Sequence, residues 1–235
     1  MGAARRRALV TGGARGIGRA IVAALSDRGV DVVFTSRQPL KEQPEMAAEP
    51  YDLLDGDAEE LIDRCVRRLG GLDTVILNAG EWAGGRIEKL PPQDWWRVVE
   101  TNLRGNHLLA RAALPALRAS GAGSLLLVSS VIGQAGFPGD TAYASAKSAM
   151  TGFARALAKE NGRESGVRVN VLAPGFVDTD MTTGLGERAR QRIVDRTVLG
   201  RFGTAEEIAK AAVFLAEDAT FCTGAVLTVD GGWTL

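Results

Sequence analysis

Histidine is almost missing from this 235-residue chain, His107 being the only one. That removes Ser-His-Asp chemistry and multi-histidine metal sites from contention, and His107 itself reads as structural. Cysteine is nearly as scarce. Cys65 and Cys222 lie far apart and lack metal-ligand spacing, so both read as buried thiols. Charge of one sign is not in excess either: 28 basic and 28 acidic residues give a formal net charge of zero. No block of like charge suggests a nucleic-acid arm, and Arg5-Arg6-Arg7 reads as a solvated strand entrance. No apolar run approaches the roughly 20 residues needed to span a bilayer. The N-terminus has no apolar signal-peptide core, so a cytoplasmic location is expected. With 46% hydrophobic and 24% charged residues, residues 1–235 suit one globular domain.

Alternation of short apolar runs with helical patterns fills this chain from end to end, without repeat or linker. It predicts an α/β fold, a Rossmann-type doubly wound parallel sheet of about seven strands flanked by helices. Ala8-Leu9-Val10 is followed at once by Thr11-Gly12-Gly13-Ala14-Arg15-Gly16-Ile17-Gly18 and an alanine-rich helix to about Arg28. Strand, glycine loop, helix is the context a dinucleotide site requires. Gly12, Gly16 and Gly18, with Arg15 and Ile17 between them, let backbone approach a pyrophosphate held by the helix N-terminus. The second strand, Val30 to Thr35, ends in Ser36-Arg37. An NAD enzyme would place a carboxylate there, and Asp31 lies at the wrong end. A hydroxyl followed by a guanidinium suits a 2′-phosphate instead, with Arg15 approaching from the other side. NADPH/NADP+ is therefore the expected cofactor.

Only 13 residues, including Pro39, Pro44 and Pro50, separate Arg37 from Tyr51, so the crossover helix is expected to be very short or absent. Tyr51-Asp52-Leu53 reads as the third strand, with Asp52 a candidate for the adenine amino group. Leu72 to Leu77 is a fourth strand ending in Asn78-Ala79-Gly80, small residues against which a cofactor can lie. Trp82 to Glu88 reads as a loop at the site mouth. A long helix from Pro91 towards Arg118 carries Trp95, Trp96 and Asn102. The tryptophans read as packing or subunit contacts, and asparagine is a poor residue for a helix interior. Further on, Val167 to Leu172 leads to Pro174-Gly175-Phe176-Val177-Asp178-Thr179, Thr182 to Gly203 reads as a lid, Thr204 as a helix cap, and Ala225 to Val229 as the last strand.

Tyr143 and Lys147 stand four residues apart in a helix-forming run, so both project from one face, about 5–6 Å apart at Cβ. A neighbouring ammonium would make the phenol easier to ionise. Such a tyrosine can give a proton to a forming alkoxide or take one from an alcohol. Ser130 follows the apolar strand Leu125 to Val128, where open α/β sheets put their chemistry. Alone, Tyr-x-x-x-Lys is better read as a surface helix pair. Its weight comes from the rest of the chain.

Taken together, Thr11-Gly12, Gly16-Ile17-Gly18, Asn78-Ala79-Gly80, Asn102, Ser130, Tyr143, Lys147 and Pro174-Gly175 resemble the short-chain dehydrogenase/reductase family from end to end. Leu77 departs from it, many members having a second asparagine there. The resemblance implies Tyr143 as the acid/base, Lys147 on the nicotinamide ribose, and Ser130 on the substrate carbonyl. It also implies Asn102 kinking its helix and holding a relay water, and Thr179 near the carboxamide. Ser129 is a rival to Ser130, but the family serine stands 13 residues before the tyrosine, as Ser130 does. Within the family, Pro174 to Thr182, Gly200-Arg201-Phe202-Gly203 and Val229-Asp230-Gly231-Gly232 look most like the 3-oxoacyl-acyl-carrier-protein reductases. That implies NADPH-dependent reduction of a 3-oxoacyl thioester and docking of an acidic acyl carrier protein. Gly121 and Ser165 stand where basic docking residues are expected, with Arg118 and Arg163 close by as substitutes. Alternatives are a ketoreductase for a secondary metabolite, sugar or steroid, and a non-enzymatic nucleotide-sensing scaffold. The family resemblance also implies a homotetramer packed through Pro91–Arg118, Thr141–Asn161 and the last strand, with Trp233 and Leu235 at a subunit contact.

Overall fold

The computed structural model describes residues 5–38 and 47–235. Seven strands form one sheet in the order β3-β2-β1-β4-β5-β6-β7. They are β1 (Arg7–Val10), β2 (Asp31–Ser36), β3 (Ala47–Pro50), β4 (Thr74–Leu77), β5 (Ser124–Val128), β6 (Arg168–Pro174) and β7 (Val226–Val229). Every neighbouring pair is parallel, as the sequence predicts. The order reverses between β1 and β4, which makes the crevice outside their carboxyl ends the natural ligand site.

Side-chain alternation sorts the two faces of the sheet. Leu9, Val33, Val75, Leu77, Leu125, Leu127, Val169 and Val171 point to one side. There they meet α2 (Ala58–Leu69), α4 (Gly105–Ala119) and α6 (Thr141–Ser165). Ala8, Val10, Phe34, Ile76, Leu126, Val128 and Leu172 point to the other, against α1 (Gly16–Ser26) and α8 (Ala205–Val213). Both faces are covered, so the central strands read as continuous apolar runs. Helix starts are specified locally. Asp57 caps α2 by accepting from the N–H groups of Glu59 and Glu60, and Thr204 with Glu207 forms a reciprocal box at α8.

Two expectations shift. The third strand is Ala47–Pro50, not Tyr51–Leu53. The Tyr51 N–H still bonds the Ser36 carbonyl at 3.0 Å, but the Asp52 carboxylate then accepts from the Leu54 N–H at 2.9 Å and turns the chain. The crossover containing Pro39 and Pro44 lies outside the described residues. The helix expected over Pro91–Arg118 runs without interruption from Pro92 to Ala119, but it takes a π turn (Glu100–Arg104) between α3 (Pro92–Val99) and α4. α5 (Ile132–Ala135) is a single turn between β5 and α6, and α7 (Glu187–Arg196) lies within the expected lid.

Trp233 is not available as a subunit contact. It is 1% exposed within its own chain, packed against Phe137 and Phe176, with Arg196 stacked on it 4.1 Å from the ring centroid. Leu235 is exposed. Trp233 fails as a contact because Ile193 of α7 needs an apolar partner, and Phe202, Val131 and Trp233 supply it. His107 lies exposed on α4 with its ring edge-on to Phe153. Cys65 is buried, and that burial pushes its thiol up to about 12. No helix among the described residues is long and apolar enough to cross a membrane.

Candidate active site

The carboxyl ends of β1, β2, β4, β5 and β6 bring the candidate residues to one edge of the sheet. At β1 the chain turns through Gly12 (φ +67°) and Gly16 (φ +51°), conformations that L side chains rarely adopt. A Cβ on Gly18 would run into the Gly12 carbonyl oxygen, and one on Gly12 would come within 3.1 Å of the Ala79 Cα. The turn is pinned by hydroxyls. Thr11 Oγ1 accepts the N–H groups of Asn78 and Ala79 at 3.0 and 2.9 Å, and Thr35 Oγ1 accepts that of Gly12 at 3.1 Å. The Asn78 amide returns a bond to the Thr11 carbonyl at 3.0 Å. Helix α1 then begins with no side-chain cap and no acidic residue in its first turn. Its N–H groups and dipole are left for an anion. A backbone cradle of this kind fits a dinucleotide pyrophosphate.

Ser36 ends β2 and Arg37 stands exposed beyond it. Arg15 reaches from the glycine loop with its guanidinium 3.4 Å from the Asp180 carboxylate, an exposed pair of little energetic weight. Asp52 lies just past β3, one oxygen engaged by Leu54. Pro174 ends β6, and the Gly175 N–H bonds the Val229 carbonyl at 2.9 Å. A Cβ at Gly175 would clash with Asp230. Val177 is buried and pairs with Gly203. Thr179 comes back over the glycine loop, its methyl 3.4 Å from where a Gly16 Cβ would sit. Residues distant in sequence thus lie at the carboxyl ends of neighbouring strands.

Around Tyr143 the two serines separate. Ser129 Oγ donates to the Lys147 carbonyl at 2.7 Å, a structural bond that takes it out of the chemistry. Ser130 Oγ accepts from the Ile132 N–H at 3.2 Å and stands beside the phenol, where its hydrogen bond favours ionisation. Lys147 is buried, donates from Nζ to the Val128 carbonyl at 2.9 Å, and lies 5.5 Å from the Tyr143 ring centroid.

One electrostatic expectation is reversed. Burial pushes the Tyr143 phenol above the ordinary tyrosine range, and the charge of Asp140 adds to that push. Lys147 does not offset it. Burial lowers the lysine's own pKa to about 8, because its partner is a neutral carbonyl and not a carboxylate.

Asn102 occupies the π turn, a feature that often marks a functional position. Its amide donates to the carbonyls of Val98 (2.9 Å) and Glu81 (2.7 Å). Its Oδ1 is buried without a partner, and a Cβ at Gly80 would strike that oxygen and lie 3.4 Å from Lys147 Nζ. Asn102, Gly80 and Lys147 therefore converge. Replacing Gly80 with Ala is expected to lower kcat/KM about tenfold or more by displacing these side chains. Steady-state kinetics with a melting scan checks this, and unchanged kinetics would show the convergence to be incidental.

The sequence reading missed several supporting residues. Asn106, one turn beyond Asn102, donates to the Asn102 carbonyl at 2.8 Å, and its own Oδ1 is likewise unpartnered. A second mid-helix asparagine was the available signal. Thr35 and the pair Trp82–Asp140, joined at 2.9 Å, left none, since each acts through a contact between distant segments. Among the described residues no group of His, Cys, Asp or Glu could hold a metal.

A doubly wound sheet with a glycine cradle and a Ser-Tyr-Lys-Asn cluster at its carboxyl edge defines a nucleotide-dependent oxidoreductase. Comparison with known proteins narrows the class. Residues 12–234 match a family model described as Enoyl-(Acyl carrier protein) reductase, and the chain belongs to the short-chain dehydrogenase/reductase family. It is 35% identical over 241 residues to the 3-oxoacyl-acyl-carrier-protein reductase FabG of Chlamydia muridarum, covering 97% of this chain and 96% of that one. It is 38% identical over 239 residues to the reductase of the same name from Pseudomonas aeruginosa, with 96% of each covered. The crystal structure of the TT0495 protein from Thermus thermophilus superposes with a TM-score of 0.91 at 38% identity, covering 98% of this chain and 99% of that one.

Proposed function

We propose that this protein is an NADPH-dependent reductase of 3-oxoacyl thioesters. The observation that carries the reading is the meeting of Ser130, Tyr143 and Lys147 at the sheet edge beside the glycine cradle. Two hydroxyls at one point suit a carbonyl oxygen better than a carbon–carbon double bond, which favours keto reduction over the enoyl chemistry in the family model's description. The names of the full-length relatives point the same way.

NADPH supplies hydride when bound. Gly12, Gly16, Ile17 and Gly18 would hold its pyrophosphate. Ser36, Arg37 and Arg15 would take the 2′-phosphate, and Asp52 the adenine. Asn78, Ala79, Gly80, Pro174, Gly175, Val177 and Thr179 would line the rest of its path. Ser130 orients the substrate carbonyl by donating to its oxygen. Tyr143 gives that oxygen a proton as negative charge builds on it, so its protonated form is the reactant. Lys147 would hold the nicotinamide ribose, its Nζ anchored by the bond to the Val128 carbonyl. Asn102 Oδ1, an acceptor with no protein partner, would hold the water that returns the proton through Lys147.

The thioester is carried by acyl carrier protein or coenzyme A in this reading, the location is cytoplasmic, and the assembly is a homotetramer through α4, α6 and the free edge of β7. One observation favours the second reading, a ketoreductase for another ketone. Gly121 and Ser165 offer no charge to a carrier, and Arg118 donates to the side-chain Oδ1 of Asn161 at 2.7 and 2.9 Å. The deciding assay follows NADPH and NADH oxidation with acetoacetyl thioesters and free ketones. Thioester turnover with NADPH, at least about tenfold above NADH, is expected from one charge-assisted contact pair. Activity confined to NADH would remove the cofactor assignment, and preference for free ketones would favour the second reading.

A further inference from the structure

Asp140 is a buried carboxylate, 5% exposed, that the reaction above does not use. It immediately precedes α6, yet its side chain makes no capping bond there. Its Oδ1 instead accepts from the Trp82 indole at 2.9 Å, the only side-chain bond it makes among the described residues. A carboxylate removed from water and given one neutral donor is costly to keep charged, and burial accordingly raises its pKa, the indole bond opposing the rise. Such a group needs a reason to be where it is.

Its surroundings supply one. The Gly85 N–H bonds the Gly139 carbonyl at 2.8 Å, so two bonds stitch residues 82–85 across the start of the catalytic helix. A Cβ at Gly84 would meet the Trp82 ring at 2.6 Å and Asp140 Oδ1 at 3.1 Å. A second indole, Trp95, donates to Thr141 Oγ1 at 3.1 Å on the same turn. Three residues after Asp140, in that first turn, is Tyr143.

The other charges on the elements around this turn are these. Lys147 lies on the same helix, α5 has none, and the loop and α3 contribute the ion pair Glu81–Arg97, closed at 3.1 Å. Arg86, Glu88 and Lys89 further along the loop, Asp94 on α3, and Glu100 and Arg104 in the π turn complete the set. Among these, the charge of Asp140 raises the phenol's pKa.

We propose that Asp140, clasped by Trp82, is a positioning residue for Tyr143. Its charge holds the phenol in the proton-bearing form that ketone reduction consumes, and its indole bond fixes the loop roofing the catalytic turn. The inference rests on Tyr143 being the proton donor. It adds a directional property, because reduction persists to higher pH while alcohol oxidation is pushed to higher pH still. The overall equilibrium is untouched.

Asp140→Asn tests it, since the amide keeps an oxygen for the Trp82 indole and loses only the charge. In the pH profile of kcat for reduction, the basic limb is expected to fall by on the order of one pH unit, with KM within about twofold of wild type. Trp82→Phe, which keeps the ring and loses the donor, is expected to raise KM severalfold with a smaller movement of the limb. The chain has only two tyrosines, Tyr51 and Tyr143. Carbon-13 labelling of their Cζ atoms, with Tyr51→Phe for assignment, therefore reads the phenol without any turnover. Earlier ionisation of Tyr143 in Asp140→Asn supports the proposal even if no ketone is reduced, a result that would count against the wider reading alone. A limb and a resonance coinciding with wild type overturn it. So does an equal loss of kcat at every pH, which is what a merely structural role would give.

Discussion

Tyr143→Phe is expected to lower kcat for thioester reduction by about 10²–10⁴-fold, the range typical for loss of a positioned proton donor. Binding of NADPH should persist nearly unchanged. The ring is 8% exposed and packs with Val98, Ile132 and Ala142, contacts that phenylalanine retains. What is lost is one hydroxyl, the group beside Ser130. Among the described residues no second acid is placed to replace it directly. Lys147 is held on the Val128 carbonyl and committed to the ribose and the relay, Ser129 is bonded to the Lys147 carbonyl, and Asp140 to Trp82. Stopped-flow measurement of NADPH oxidation, paired with fluorescence titration of NADPH, separates the two effects. Full activity in the variant would remove Tyr143 from the chemistry.

The second large effect concerns the cofactor. Ser36→Asp combined with Arg37→Ala is expected to reverse the preference between NADPH and NADH. Each charge-assisted contact to a phosphate contributes about 1.5–3 kcal/mol, so losing the guanidinium should weaken NADPH about 10- to 150-fold. The new carboxylate repels the 2′-phosphate and accepts a bond from the 2′-hydroxyl of NADH. Together the ratio of kcat/KM values should move by roughly 10³. The site tolerates the change, because Ser36 uses its backbone carbonyl, not its hydroxyl, to hold Tyr51, and Arg37 is exposed. Arg15 is the remaining cation, and its weak tie to Asp180 leaves it free to contribute in the wild type. An unaltered ratio would place the 2′-phosphate elsewhere.

Motifs whose chemistry is carried by neighbours in sequence were legible before any coordinates. Gly12 to Gly18, Asn78 to Gly80 and Tyr143 with Lys147 each announce their geometry, because a tight turn or a helical face fixes which atoms meet. The strand runs were equally plain, since a sheet covered on both faces demands unbroken apolar segments. Asn102 could be singled out because asparagine in a helix interior needs a reason, and its bonds to Val98 and Glu81 across the π turn are that reason.

What escaped the sequence depends on contacts between segments far apart. Trp82 and Asp140 lie 58 positions apart, and neither looks unusual alone. The direction of the Tyr143 shift was misjudged for the same reason. Spacing put the lysine close, but only the fold reveals that both groups are buried and that the charge of Asp140 also acts on the phenol. Trp233 looked like a subunit contact because it sits near a chain end, whereas α7 folds back and covers it.

A crystal structure of the protein soaked with NADP+ tests the central claim most directly. The nicotinamide should lie against Tyr143 with its ribose hydroxyls on Lys147, and the pyrophosphate on the backbone of Gly12 to Gly18. Density for the dinucleotide away from the sheet's carboxyl edge, or a nicotinamide out of reach of the Tyr143 hydroxyl, would contradict it.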